Sequence, residues 1–227
     1  MTEPAPHPID APLPAVLFPT EVASWLSWRL PPEATLLTME SAAAAAFAPG
    51  RRAEFTHGRS CARQALHQLG LEAVGIPVGA SREPLWPTGI VGSISHAGTA
   101  ATAVVARAGG NIVNLGLDLE PDEPLDAELV AQVCRPTEIA RLAISDADPA
   151  RAARHVFAMK EAVYKALWPV QRRFLEFHDV EVHGGSGRGT FGVTIHNGRC
   201  PPETAARLEG RFARIGTMFV AGVVLGK

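Results

Sequence analysis

The chain has 227 residues, 47% of them hydrophobic, and a formal net charge of −2. That hydrophobic share can bury a core and excludes global disorder, while the near-neutral charge gives no bulk electrostatic attraction to nucleic acid or a membrane surface. Cys61, Cys134 and Cys200 lie far apart without a CxxC spacing, so neither a disulfide framework nor a structural zinc site is expected. With no signal peptide and no apolar run long enough to span a bilayer, the expectation is a soluble, cytoplasmic protein.

Residues 1–19 carry Pro4, Pro6, Pro8, Pro12, Pro14 and Pro19, an extended arm expected to dock through Val16, Leu17 and Phe18. A helix is predicted from about Pro31 through the alanine run to Phe47, with Pro49-Gly50 ending it. The next helix spans Arg51 to Leu69, with Phe55, Ala62, Leu66 and Leu69 as its apolar stripe and Gly70 as its stop. Ile90–His96 and Ala103–Ala106 read as strands, followed by a turn at Gly109-Gly110-Asn111 and a third strand through Asp118 and Glu120. Helices are predicted at Leu125–Val133 and Thr137–Ile144, and a long one from Pro149 to Trp168, closed by Pro169. Val180–His183, Thr190–Ile195 and Met218–Leu225 alternate as strands. The glycine-rich run Gly184–Gly189 lacks phosphate-loop spacing and reads as a hairpin turn. The fold class is α+β, in two similar α/β halves meeting near residue 110 (1–110 and 111–227).

Two segments carry the chemistry. In Asn114–Glu120, period-2 alternation puts Leu115, Leu117 and Leu119 on one face and Gly116, Asp118 and Glu120 on the other. Two carboxylates side by side repel, so a cation is expected beside them. Phe157–Ala166 is helical and adds Glu161, Lys160 and Lys165. Three carboxylates suit a hard cation such as Mg²⁺, and lysines suit phosphate, which together point to phosphoryl-group chemistry. Lys160 falls in an apolar stripe with Val156, Val163 and Leu167, so its ammonium must snorkel or meet an anion. Each feature has a plainer alternative. Asp118 and Glu120 also fit a solvent-facing strand, and Glu161 with Lys165 fits an i,i+4 surface pair of ~0.3–0.5 kcal/mol. Arg59 and Arg63 fit a solvated basic face, and His96 a satisfied loop histidine. No GxSxG surrounds Ser93 and Ser95, which argues against a serine hydrolase.

In order along the chain, Arg51–Leu66, Glu83-Pro84-Leu85-Trp86-Pro87, Gly92-Ser93-Ile94-Ser95-His96, Gly116–Glu120 and Phe157–Ala166 resemble the 4′-phosphopantetheinyl transferase family, in its enterobactin-synthetase component D-like branch. The resemblance implies a cytosolic, mostly monomeric enzyme of two pseudo-twofold halves. Such an enzyme moves phosphopantetheine from coenzyme A to a serine of an apo acyl or peptidyl carrier protein and releases adenosine 3′,5′-bisphosphate. It implies Asp118, Glu120 and Glu161 as ligands of Mg²⁺, with Mn²⁺ as a substitute, and Glu161 also as the base for the carrier serine. Arg51, Arg59 and His96 would hold the 3′-phosphate and adenine end, Lys160 and Lys165 the phosphates, with Lys160 in the catalytic set. Arg63, Arg82 and Ser95 complete the expected coenzyme A contacts. Two departures stand out: Val78 or Gly79 occupies the place of a lysine common before the Trp-Pro turn, leaving Arg82 as the nearest cation, and His96 is followed by a short Ala97-Gly98-Thr99-Ala100. The competing readings are another Mg²⁺-dependent phosphoester enzyme, such as a phosphatase or nuclease, and a catalytically inactive carrier-binding module, which would lack one of the three carboxylates.

Overall fold

The computed structural model describes residues 10–71, 74–145, 148–184 and 189–227. Pro4, Pro6, Pro8 and residues 185–188 of the glycine-rich run lie outside them. The elements in order are β1 (Ala23–Ser27), α1 (Thr38–Ala43), α2 (Pro49–Gln68), β2 (Ile90–Ala97), β3 (Ala100–Arg107), β4 (Ile112–Pro121), α3 (Ala127–Val133), α4 (Pro136–Ser145) and α5 (Pro149–Gln171). After a single 3₁₀ turn at Phe177–Asp179 come β5 (Val180–His183), β6 (Thr190–Ile195), α6 (Pro202–Ala205), β7 (Leu208–Ile215) and β8 (Met218–Gly226). They build an α+β architecture with a three-stranded sheet ordered β1-β3-β2 and a five-stranded sheet ordered β4-β8-β7-β6-β5, antiparallel throughout.

The order of layers follows from which face each strand buries. β3 places Ala101, Ala103 and Val105 under α2, against Cys61, Ala62, Ala65 and Leu66. Its alternate residues Ala100, Val104 and Ala106 turn to a central core shared with Leu115, Leu117 and Leu119 of β4. Those three leucines are fully buried, each worth about 1.5–3 kcal/mol relative to exposure. A third core lies between α5 and the far side of the five-stranded sheet. Leu17 and Phe18 of the N-terminal arm close the central core, as expected, but Val16 points outward and is 51% exposed.

The two sheets meet along β2 and β4 without a backbone ladder. The Ser93 hydroxyl accepts from the Leu117 amide at 3.1 Å and the Ser95 hydroxyl from the Leu119 amide at 3.2 Å. On the other face of β4, Gly116 lies against α5: a Cβ there would overlap the Ala162 carbonyl. Asn114 Nδ2 donates to the Ala166 carbonyl at 2.7 Å. The missing side chain thus lets helix and strand approach closely, and the Asp118/Glu120 face lies against α5 rather than open solvent.

Four expectations from the sequence are corrected. The first predicted helix contracts to α1: Glu40 caps its start by accepting the Leu37 amide, and its carboxylate is also held by the Ile76 amide and Arg63. α5 runs past Pro169 to Gln171 and ends at Arg172, whose φ is +51°. An interior proline removes its own N–H and crowds the preceding turn, yet the helix continues, and the Arg172 amide still reaches the Trp168 carbonyl at 2.9 Å. β1 and β7 were not expected. The short β1 mixes serines with apolar residues, and the alternation of β7 is interrupted by Gly210.

Candidate active site

A cleft of about 770 Å³ opens at the joint of the two sheets. β2 brings Ser95 and His96 to it, β4 brings Asp118 and Glu120, α5 brings Glu161 and Lys165, α2 brings Arg51 and Arg59, and the loop before β2 brings Arg82. The placement follows from local periodicity. Asp118 and Glu120 are two apart on one strand face, and Glu161 and Lys165 are four apart on one helix face packed over it.

Among the acidic groups, Asp118 is 4% exposed. Its Oδ1 accepts from Lys165 Nζ at 2.6 Å and from Ser95 Oγ at 2.8 Å, whereas its Oδ2 is buried with no hydrogen-bond partner. Lys165 also donates to the Leu117 carbonyl at 3.2 Å. Glu120 accepts from Arg154 Nη1 at 2.9 Å. Burial, and then the charge of Asp118, raise the Glu120 pKa. Burial likewise raises that of Glu161, with Lys165 opposing and Asp118 and Glu120 adding to the rise. This is the mark of carboxylates short of positive charge. Among the described residues no group of three His, Cys, Asp or Glu side chains is already gathered as a metal cage. Lys165 and Arg154 instead hold Asp118 and Glu120. The donor chemistry still fits a hard divalent ion: an orphaned carboxylate oxygen faces two carboxyls that resist ionisation.

Among the basic groups, Arg51 Nη1 donates to His96 Nε2 at 2.6 Å and to Glu54 Oε2 at 3.1 Å. Burial pushes the His96 pKa down, helped by Arg51 and Lys165 and opposed by Glu54 and Asp118. The ring is therefore a neutral acceptor here rather than an imidazolium. Arg59 is 5% exposed, lies 4.2 Å above the Phe55 ring and donates Nε to the Ile76 carbonyl at 2.8 Å. Burial lowers its pKa to about 10, so it stays charged at neutral pH. Arg82 is exposed, with φ of +68°.

Two expected contacts are corrected. Arg63 does not reach the cleft. Its Nη1 grips Glu40 at 2.8 and 3.0 Å, and its Nη2 donates to the Thr35 carbonyl at 2.6 Å. Glu40 is fully buried, and a buried carboxylate requires such a partner. Lys160 does need an anion, but the anion is protein. Its side chain is 1% exposed, and Nζ donates to Glu138 Oε2 at 2.6 Å, the Val133 carbonyl at 2.8 Å and the Phe177 carbonyl at 2.9 Å. All three ammonium protons are used, leaving none for a phosphate.

Sequence reasoning missed Glu54, Phe47 and Phe157, which also line the cleft, as well as Arg154 and Glu138. Only Glu138 left a signal: it sits three residues after Arg135 at a helix start, and it accepts the Arg135 amide at 2.8 Å.

Comparison with known proteins gives the family of the chain. A family model for the 4′-phosphopantetheinyl transferase N-terminal domain matches residues 39–106, and one for the 4′-phosphopantetheinyl transferase superfamily matches residues 114–207. The chain is 32% identical to 4′-phosphopantetheinyl transferase PptT of Mycobacterium tuberculosis over 219 residues, 94% of this chain and 96% of that protein. It is 37% identical to 4′-phosphopantetheinyl transferase Svp of Streptomyces mobaraensis over 163 residues, 70% of this chain and 65% of that one. Against enterobactin synthase component D of Escherichia coli it is 36% identical over 118 residues, 51% and 54% of the two chains. With both family models in chain order and one relative aligned over nearly its whole length, the chain belongs to the 4′-phosphopantetheinyl transferases.

Proposed function

We propose that the protein transfers 4′-phosphopantetheine from coenzyme A to a serine hydroxyl of an apo acyl or peptidyl carrier protein, with Mg²⁺ or Mn²⁺, releasing adenosine 3′,5′-bisphosphate. The observation that carries this reading is the set of charges in one cleft. It is lined both by Arg51, Arg59, Arg82 and His96 and by Asp118, Glu120, Glu161 and Lys165, with Arg51 bonded to His96 and Lys165 to Asp118. Coenzyme A has matching chemistry, a 3′-phosphate and a pyrophosphate. Arg51, Arg59, Arg82 and His96 come from residues before 110, and Asp118, Glu120, Glu161 and Lys165 from residues after it.

Asp118, Glu120 and Glu161 would hold the metal, which when bound would neutralise charge on the pyrophosphate. Arg59 would donate its fork to the 3′-phosphate, and Arg51 and His96 would close around the same end. Lys165, once it leaves Asp118, can donate to an oxygen of the phosphate under attack. The serine oxygen forms the new P–O bond, the bond to adenosine bisphosphate breaks, and the serine proton passes to a carboxylate. Glu161 suits that last role because it lines the cleft on the helix that also brings Lys165.

An apo carrier protein incubated with coenzyme A should gain one phosphopantetheine group by intact mass, with adenosine 3′,5′-bisphosphate in the supernatant. Excess chelator should abolish both products. Full transfer in chelator would remove the metal from the reading. Phosphate release from simple phosphoesters without carrier modification would favour a generic hydrolase instead.

A further inference from the structure

The ion pair of Lys160 and Glu138 is a fully buried charge pair outside the cleft, and the reaction as described does not use it. Both side chains are about 1% exposed. Besides Lys160, Glu138 accepts from the Val182 amide through Oε1 at 2.8 Å and from the Arg135 amide through Oε2 at 2.8 Å. Lys160 adds the Val133 and Phe177 carbonyls. The end of α3, the start of α4, the 3₁₀ turn and β5 are therefore all tied to α5 at one point. That point is the residue immediately before Glu161.

A second groove, of about 380 Å³, lies beside Glu161. Gln132 of α3, Tyr164 of α5, Phe174 and Phe177 of the 3₁₀ turn line it, together with Lys160 itself. The segments that carry Gln132 and Phe177 are the ones Lys160 grips through the Val133 and Phe177 carbonyls. The pair thus sets the width of this groove and the seat of the helical turn that presents Glu161. A buried ion pair is weak evidence for stability alone, since apolar residues of similar volume often serve as well. Its bond directions, by contrast, fix where each attached segment sits.

We infer that Lys160 and Glu138 are positioning residues: they act on turnover through Glu161 and its groove, and neither touches coenzyme A. The inference rests on the reading of Glu161 as a working carboxylate. It predicts a split between turnover and binding. Glu138→Gln keeps the side-chain shape but removes its negative charge and turns one acceptor oxygen into an NH2 donor, so the bond from the Val182 amide or those from the Arg135 amide and Lys160 must be given up. It should lower kcat by about 10–100-fold, the order of loss that a shift of about 1 Å brings, while the coenzyme A dissociation constant measured by calorimetry stays within about twofold. Lys160→Met should lower kcat at least as much. Adding Glu138→Leu to it removes the stranded carboxylate but restores none of the bonds to the Val133 and Phe177 carbonyls or from the Val182 and Arg135 amides, so turnover should stay at least about tenfold below wild type.

Loss of coenzyme A affinity in Lys160→Met that persists in the double variant would overturn the inference, because Lys160 would then be a ligand contact. Unchanged turnover in Glu138→Gln would also overturn it. Should Lys160→Met fail to fold, Glu138→Gln still decides. Amide exchange read by mass spectrometry on unliganded protein separates this inference from the proposed function. Faster exchange at Val182 and around Phe177 in Glu138→Gln supports the positioning role even if no carrier is modified, and unchanged exchange there contradicts it.

Discussion

Glu161 sits where burial and two neighbouring carboxylates oppose its ionisation. A carboxyl whose folded pKa lies above its unfolded value keeps its proton longer in the native state. Folding stability therefore falls as pH rises from the ordinary value of 4.5 through the raised one, and the cost persists at neutral pH. Glu161→Gln cannot ionise and escapes it. Its Tm at pH 7 should exceed that of wild type. The advantage should shrink as pH approaches 4.5, and Mg²⁺ should raise the wild-type Tm more than that of the variant. A lower Tm for Glu161→Gln at pH 7 would show the carboxylate to be well compensated by Lys165. Lys160 is the contrasting residue. Its place in an apolar stripe made an anionic partner legible in the sequence, but not which one, because Glu138 is 22 residues away on another helix. The same holds for Arg63, whose partner Glu40 lies on the short helix α1. Periodicity reports the face a side chain occupies, not what the fold brings to meet it.

At the scale of elements, the strand β4 and the helix α5 were legible because both carry unbroken periodic patterns: Leu115, Leu117 and Leu119 at every second residue, and Val156, Val163 and Leu167 along a helix face. Their union in space brings Asp118, Glu120, Glu161 and Lys165 into one cleft. Gly116 is the residue on which that union turns, since any side chain there meets the Ala162 carbonyl and the Ala166 amide of α5. Gly116→Ala should destabilise the fold by about 1–3 kcal/mol through overpacking, seen as a lower urea midpoint with an unchanged slope. A neutral result would mean that α5 can lift from β4 at little cost. The elements that escaped the sequence have physical reasons. β1 is five residues long, and two of them are serines. The two serines of β2 serve not as a nucleophile but as acceptors for the amides of β4, a substitute ladder that alternation cannot announce.

For the whole molecule, two sheets share a core, each carries one long helix on its outer face, and their joint opens as a cleft lined by basic and acidic groups. Among the described residues no helix is long and apolar enough to cross a membrane. The claim that this cleft performs the transfer is tested most directly by following the intact mass of one apo carrier protein with time, with wild type and Asp118→Asn at matched concentration in Mg²⁺ and coenzyme A. Asp118→Asn keeps the side-chain shape and removes its negative charge. Wild type should convert the carrier to its phosphopantetheinylated form, and Asp118→Asn should be slower by about 10²–10³-fold, the loss expected when electrostatic stabilisation of the transition state is removed. Equal conversion rates for the two proteins would place the chemistry elsewhere and contradict the account.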